Sequence, residues 1–178
     1  PPMPEAGGGA TRAPKGAGAQ SSSLAFAGSR AEGHQSTTVM LRNLPNNYSR
    51  AMVLAMLNDE GFGGLYDFVY LPIDFKSRAC LGYAFVNMVT PEVAAQLWER
   101  FDGFSKWMLP SRKVCNVCWS GPHQGVEAHV ERYRNSPVMH PSVPDEYKPV
   151  VFSDGVRMVF PPPTKAPRAP RVRNHKDR

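Results

Sequence analysis

What this chain has little of narrows its identity first. It holds three cysteines in 178 residues, Cys80, Cys115 and Cys118, too few to staple a small fold, so the fold must rest on an apolar core in a reducing compartment. No apolar run approaches the roughly 18 residues of a membrane span, and Leu24-Ala25-Phe26-Ala27 is too short for a signal-peptide core. A soluble chain of the nucleus and/or cytoplasm is expected. Pro45-Asn46-Asn47, after the first apolar segment, lacks the glycines to cradle a phosphate. No nucleophile, base and orienting group fall together, and Asp67, Asp74 and Glu92 have ordinary structural explanations, so neither catalysis nor a cofactor is expected. Cys115-Asn116-Val117-Cys118 has a zinc-like spacing, but strand residues three apart point to opposite faces, and a second ligand pair is missing. No metal site is expected.

Charge of one sign is also scarce where the chain should fold. The net charge is +6, yet residues 37–119 carry eight basic and seven acidic side chains, whereas 161–178 carry six and one. The excess sits in the last segment, so any cationic footprint on the folded part must be local. The length suits one domain of about 100 residues with tails. The chain starts at Pro1, and the expectation is a piece of a longer protein.

Residues 1–36 are rich in Gly, Ala, Pro and Ser and have almost no large apolar side chains, a composition that predicts a disordered leader. Thr37 to Arg42 alternates as a first strand, broken by Asn43-Leu44-Pro45-Asn46-Asn47. Ser49 is a candidate N-cap for a helix reaching Asp59, with Met52, Val53, Met56 and Leu57 at helical spacing and Gly61 as its stop. Tyr66 to Leu71 reads as a second strand closed by Pro72. Asp67 is costly on a core face, so Phe68 and Tyr70 are expected against the helices, and Asp67, Val69 and Leu71 on the open face. A loop to Cys80 leads into the third strand. Thr90 as N-cap and Pro91 at the first helical position open a second helix, whose stripe is Val93, Ala94, Leu97, Trp98 and Phe101. Val114 to Trp119 makes a fourth strand.

The order strand-helix-strand-strand-helix-strand predicts an α+β, ferredoxin-like βαββαβ fold, with a four-stranded antiparallel sheet carrying two helices on one face. Gln124 to Arg134 reads as a third helix with Val126, Val130 and Tyr133 on one side and Glu127, Glu131 and Arg132 away from them, packing on the flank or on the open face, with His129 filling a helix–domain contact. Residues 120–160, this helix and a Pro-rich extension with scattered apolar anchors at Val150-Val151-Phe152 and Met158-Val159-Phe160, are expected to pack on the domain, and 161–178 to form a basic disordered tail.

The third strand, Leu81-Gly82-Tyr83-Ala84-Phe85-Val86-Asn87-Met88, places small apolar residues on one face and two rings with Asn87 on the other. Its middle five residues match the octamer signature of an RNA recognition motif, while Leu81 replaces the usual basic residue and Met88 the last aromatic. Val39-Met40-Leu41-Arg42-Asn43-Leu44 matches the companion hexamer, with Met40 where an aromatic is usual. Both motifs fall in the strands that motif requires.

These signatures, with Tyr66-Asp67-Phe68-Val69-Tyr70-Leu71-Pro72-Ile73-Asp74-Phe75-Lys76 and the run from Gln124-Gly125 to Val138-Met139, resemble the C-terminal RNA recognition motif of the Mei-two-like family from about Thr37 to Phe160. The resemblance implies RNA binding in regulators of meiosis and development. It also implies that Met40 and Leu81 are the family's own form of the signature, and that Gln124 to Arg134 is the family's third helix. Gly121-Pro122-His123 departs from the family's residues.

The expected partner is single-stranded RNA, bound by a monomer. Tyr83 and Phe85 would stack bases and Met40 would pack on a base or ribose. Arg42, Asn87 and Asn116 would supply polar contacts, and Lys76, Arg78, Arg112 and Lys113 would hold phosphates. The rival reading is a protein-interaction module in which the third helix or a partner peptide occupies the sheet.

Overall fold

The computed structural model describes residues 35–171. The leader expected over 1–36 therefore lies outside the described residues except for its last two. Strand β1 (Thr38–Arg42) is followed by α1 (Arg50–Leu57), β2 (Tyr66–Tyr70), β3 (Tyr83–Met88), α2 (Pro91–Phe101), β4 (Asn116–Trp119), α3 (Val126–Tyr133), β5 (Val150–Ser153) and β6 (Val156–Met158). They form one antiparallel sheet in the order β4-β1-β3-β2-β5-β6. The first four strands and two helices keep the predicted ferredoxin-like order. Two further strands extend one edge.

The caps work as the residue types predict. Ser49 Oγ accepts from the Met52 amide at 3.2 Å, and Thr90 Oγ1 accepts from the Val93 amide at 3.2 Å. The first helix is shorter than its apolar spacing suggests: a π-helical turn, Asn58–Phe62, takes over from α1 and contains Gly61 at φ 94°. One face of the sheet, Val39, Leu41, Ala84, Val86 and Met88, is buried against Val53, Leu57, Ala94, Leu97 and Phe101. The third strand starts at Tyr83, two residues late, because Gly82 turns the chain at φ 87°, its carbonyl accepting from the Leu44 amide at 2.8 Å. Leu81 is left exposed.

In β2 the expected orientation is reversed. Tyr66 faces Met88 but Phe68 faces Asn87, so Asp67 is an extra residue in a bulge. One inserted residue flips every side chain beyond it, because the strand period is two. Phe68 and Tyr70 therefore lie on the open face, while Val69 and Leu71 enter the core beneath the helices. Asp67 itself is satisfied within the bulge, where its carboxylate accepts from Asn87 Nδ2 at 2.7 Å.

The β5–β6 hairpin was read in the sequence only as scattered apolar anchors. Asp154 (φ 48°) and Gly155 (φ 79°) make its two-residue turn, and Asp-Gly between β-branched runs is a hairpin signal. Arg50 and Arg157 both grip the Asp145 carboxylate, at 2.9 and 2.7 Å, which ties the extension to α1 and holds that carboxyl well below the ordinary range.

Candidate nucleic-acid interface

The open face has two unlike halves because of where α3 lands. Gln124 sets that position. Its Oε1 accepts from the Thr37 and Thr38 amides and its Nε2 donates to the Thr38 and Ser120 carbonyls, all at 2.9 Å. The Thr38 hydroxyl, in turn, accepts from the Gly125 amide at 2.9 Å at the start of α3. Pinned there, α3 crosses the β2 side. Tyr133 lies 4.6 Å from Tyr70 and 6.0 Å from Phe68, near-parallel to the latter, and His129 lies 5.0 Å from Phe68 and 5.8 Å from Phe85. Val138, Val143 and Val151 complete this second apolar cluster.

Burial holds His129 neutral, pushing its pKa down against the opposing effect of the Gly125 carbonyl, with His123 and Arg132 adding to the depression. The same burial pushes the Tyr70 and Tyr133 hydroxyls up.

The β1–β4 side is left uncovered. Met40 sits opposite Phe85 on one neighbour and Cys118 on the other, and Arg42 sits opposite Tyr83 and Asn116. Met40, Tyr83 and Phe85 are partly exposed, and Arg42 and Asn116 exposed. The rings of Tyr83 and Phe85 meet edge to face, 5.7 Å apart at 82°. Two bases stacked on these rings cannot remain stacked on one another, so the platform suits a splayed single strand rather than a helix. Lys113 donates to the Leu44 carbonyl and to Asn46 Oδ1, at 3.1 and 2.9 Å, and with Arg42, Asn116 and Tyr83 lines a polar groove of about 360 Å³.

Of the ten residues expected at the site, the structure gathers Met40, Arg42, Tyr83, Phe85, Asn116 and Lys113. Asn87 is a correction. It is 3% exposed; its Oδ1 accepts from both Thr37 and Thr38 hydroxyls, at 2.7 and 2.6 Å, and its amide nitrogen holds Asp67. It pins the sheet beside the start of α3 and presents nothing to a ligand. Lys76 and Arg78 sit in the β2–β3 loop organised by Asp74, which accepts from the Ser77 amide and hydroxyl. Arg78 lines a separate groove with Arg50 and Tyr147. Arg112 is exposed in the loop before β4. Cys115 is buried in the helix-side core, where burial pushes its thiol up to about 12, and Cys118 shares the opposite face with Met40.

The sequence reading missed Arg132 and Ser120, and it gave His129 the helix–domain contact that the structure shows against Phe68 and Phe85. Arg132 leans over the Tyr133 ring, 5.6 Å from guanidinium to centroid, and its Nη1 donates to His123 Nε2 at 2.9 Å. Helical spacing had put it on the solvent side, which is true of its Cα but not of a side chain long enough to reach back over the sheet. The basic segment differs too. The start of residues 161–171 is held at the C-terminal end of α3: Arg134 donates twice to the Pro162 carbonyl, at 3.0 and 2.7 Å, and Asn135 exchanges hydrogen bonds with Thr164. Pro170 and Arg171 thereby reach a groove of about 470 Å³ shared with Tyr70, Tyr83, Arg132 and Tyr133. The rest of the tail, 172–178, lies outside the described residues.

Comparison with known proteins places this geometry. The family model described as RNA recognition motif 2 matches residues 36–134, more than half of the chain. The chain is 40% identical over 144 residues to protein terminal ear1 of Zea mays, covering 71% of this chain and 22% of that protein. It is 42% identical over 126 residues to protein MEI2-like 3 of Arabidopsis thaliana, covering 70% and 16%. It is 39% identical over 117 residues to protein MEI2-like 5 of Arabidopsis thaliana, covering 65% and 14%. The chain thus spans about a fifth or less of the length of these relatives.

Proposed function

The chain belongs to the RNA recognition motif 2 family, the RNA-binding family of the MEI2-like and terminal ear1 proteins, and from that premise we propose that it binds single-stranded RNA on the β1–β3–β4 half of the open face. The observation that carries this reading is the pair Tyr83 and Phe85, partly exposed beside Met40 and Arg42, while the chain's own helix covers the aromatics of the other half. Tyr83 and Phe85 hold bases, Arg42 and Asn116 meet base edges or sugars, and Lys113, Arg132 and Arg171 hold phosphates around the rim. A part in post-transcriptional regulation belongs to the same proposal.

Fluorescence anisotropy with labelled single-stranded RNA tests it. The parent should bind with an affinity that falls as salt rises, and a Tyr83→Ala, Phe85→Ala double variant that stays folded by circular dichroism should bind more weakly by at least about 1–3 kcal/mol. Unchanged binding by the folded double variant would move the site off this face, and capture of a peptide in preference to RNA would favour a protein-interaction module.

A further inference from the structure

The far edge of the sheet is where exposed apolar side chains gather. Among the described residues the other large ones, Leu81, Val89, Met108 and Val114, stand singly along the chain, whereas Val156, Met158 and Val159 are neighbours and are 64%, 50% and 92% exposed. That stretch is β6 and the residue after it, with β5 on one side and no strand on the other. A bare strand edge carrying apolar side chains is a template for another strand. We propose that this edge receives a second copy of the chain, β6 against β6, antiparallel about a two-fold axis at Met158. The proposal stands apart from the RNA-binding reading and uses none of its residues.

The backbone decides which groups are on offer. Asp154-Gly155 is a two-residue turn, so Ser153 and Val156 close the hairpin as a hydrogen-bonded pair, and paired residues alternate from there. Val156 and Met158 therefore turn their backbone groups to β5, and Arg157 turns its N–H and C=O outward. The next outward groups are those of Val159, which no backbone hydrogen bond engages among the described residues. Side chains divide the same way. Met158 lies opposite Val151 and, with Val156 and Phe160, carries the second apolar cluster out to the edge, while Arg157 lies on the other face beside Asp145.

Three antiparallel registers set outward groups against outward groups here, and two of them fail. Centred on Arg157, like charges face each other directly, which destabilises the pair. Centred on Val159, Arg157 needs an N–H from Pro161, which has none. Centred on Met158, Arg157 exchanges both hydrogen bonds with the second copy's Val159, and Val159 with the second copy's Arg157. The two Met158 side chains then meet in the closely spaced, non-hydrogen-bonded pair, and each Val156 meets a Phe160. The stretch is thus complementary to itself in hydrogen bonds, charge and apolar surface. So short an edge buries less than the roughly 1,200 Å² of a standard interface, which makes the pairing weak and dependent on concentration.

A cysteine trap on the full chain tests it. Met158→Cys places the two introduced thiols across the axis, where Cα atoms are about 4.5 Å apart and within disulfide reach. Val156→Cys, on the same face, lies about 13 Å along the strands from its counterpart. Under copper–phenanthroline in air, Met158→Cys should form a disulfide-linked dimer at least about ten-fold faster than Val156→Cys. The parent, whose cysteines are buried, should form none. In sedimentation velocity the mean mass of the parent should rise with concentration. Val159→Pro removes one outward N–H while leaving β6 on β5, and should abolish that rise with the fold intact by circular dichroism. Equal trapping of the two cysteine variants, a parent mass that stays constant up to millimolar concentration, or a rise that persists in Val159→Pro would each overturn the proposal.

Discussion

The two halves of the open sheet face are built from the same materials and put to opposite uses. On one half Phe68 and Tyr70 are met by His129 and Tyr133 of the chain's own third helix. On the other, Tyr83 and Phe85 stand beside Met40 with no helix above Tyr83. An aromatic sheet face is thus not in itself a site, since rings attract whatever flat, weakly hydrated partner is nearest, whether a side chain or a base. What separates the halves is the anchor at Gln124, which commits the helix to the β2 side.

The largest way to break the comparison is to strip the covered half. Tyr133→Ala removes a buried ring from between Tyr70, Phe68 and His129, and a loss of about 3–5 kcal/mol in urea unfolding is expected, the range for buried aromatic truncations. A loss below about 1 kcal/mol would mean that α3 only rests on the sheet. The matching change on the bare half, Tyr83→Ala, should cost under about 1 kcal/mol of stability, as for a partly exposed side chain, and about 1–3 kcal/mol of RNA affinity. Phe85→Ala should do both in part, because His129 already covers one side of its ring.

Acid should also tell the halves apart. His129 is buried and its pKa is depressed below its unfolded value of 6.5, so the unfolded chain binds the proton more readily. The stability gained by keeping His129 neutral is therefore fully present above about pH 6.5 and is lost as pH falls from there through the depressed native value, with a slope of at most about 1.4 kcal/mol per pH unit for one proton. The groups that face it are the rings of Phe68, Phe85 and Tyr133, the Ser120 hydroxyl, the Gly125 carbonyl, and the cationic or titratable Arg132 and His123. Urea titrations at pH 7.5 and 5.5 on the parent and on His129→Gln check this. A pH dependence of equal size in the variant would assign it to other groups.

Much of this was legible in the residues, and the failures have physical causes. Caps at Ser49 and Thr90, the small-residue face of β3 and the stripe of α2 all name their own neighbours, because helix and strand periods carry over directly into faces. The bulge at Asp67 was not visible, since one extra residue leaves composition unchanged while inverting Phe68 and Tyr70. Asn87 sits on the right face for a ligand, yet which partner an amide takes depends on Thr37, Thr38 and Asp67 arriving from two other strands. Arg132 becomes a neighbour of Met40 only after α3 is placed, and nothing local to it encodes that placement. The hairpin is different: Asp154-Gly155 between Val150-Val151-Phe152 and Val156-Arg157-Met158 was readable and was passed over.

The smallest expected effect concerns the basic segment, where charge and docking are separable. Deleting residues 164–178 removes six cations, so affinity should fall for all RNA sequences alike and the salt dependence should flatten, because contacts to phosphate carry no base information. Asn135→Ala keeps every cation and the Arg134–Pro162 hydrogen bonds and removes the clip beyond them, in which Asn135 Oδ1 accepts from the Thr164 and Lys165 amides, at 2.9 and 3.3 Å, and Nδ2 donates to the Thr164 hydroxyl at 2.9 Å. Counterion release depends on how many phosphates are met, so the salt slope of Asn135→Ala should equal that of the parent. Its affinity should nonetheless drop, since a segment no longer held beside Tyr83 must be ordered at the moment of binding, at a cost of about 0.5–1.5 kcal/mol per immobilised side chain. Of the segment's described cations, Arg171 alone lines the groove, which puts the expected loss at about 1 kcal/mol or less. A rise in affinity on Asn135→Ala would reverse the reading: the segment would then be a cover over the bare half, repeating at the edge of Tyr83 what α3 does over Tyr70.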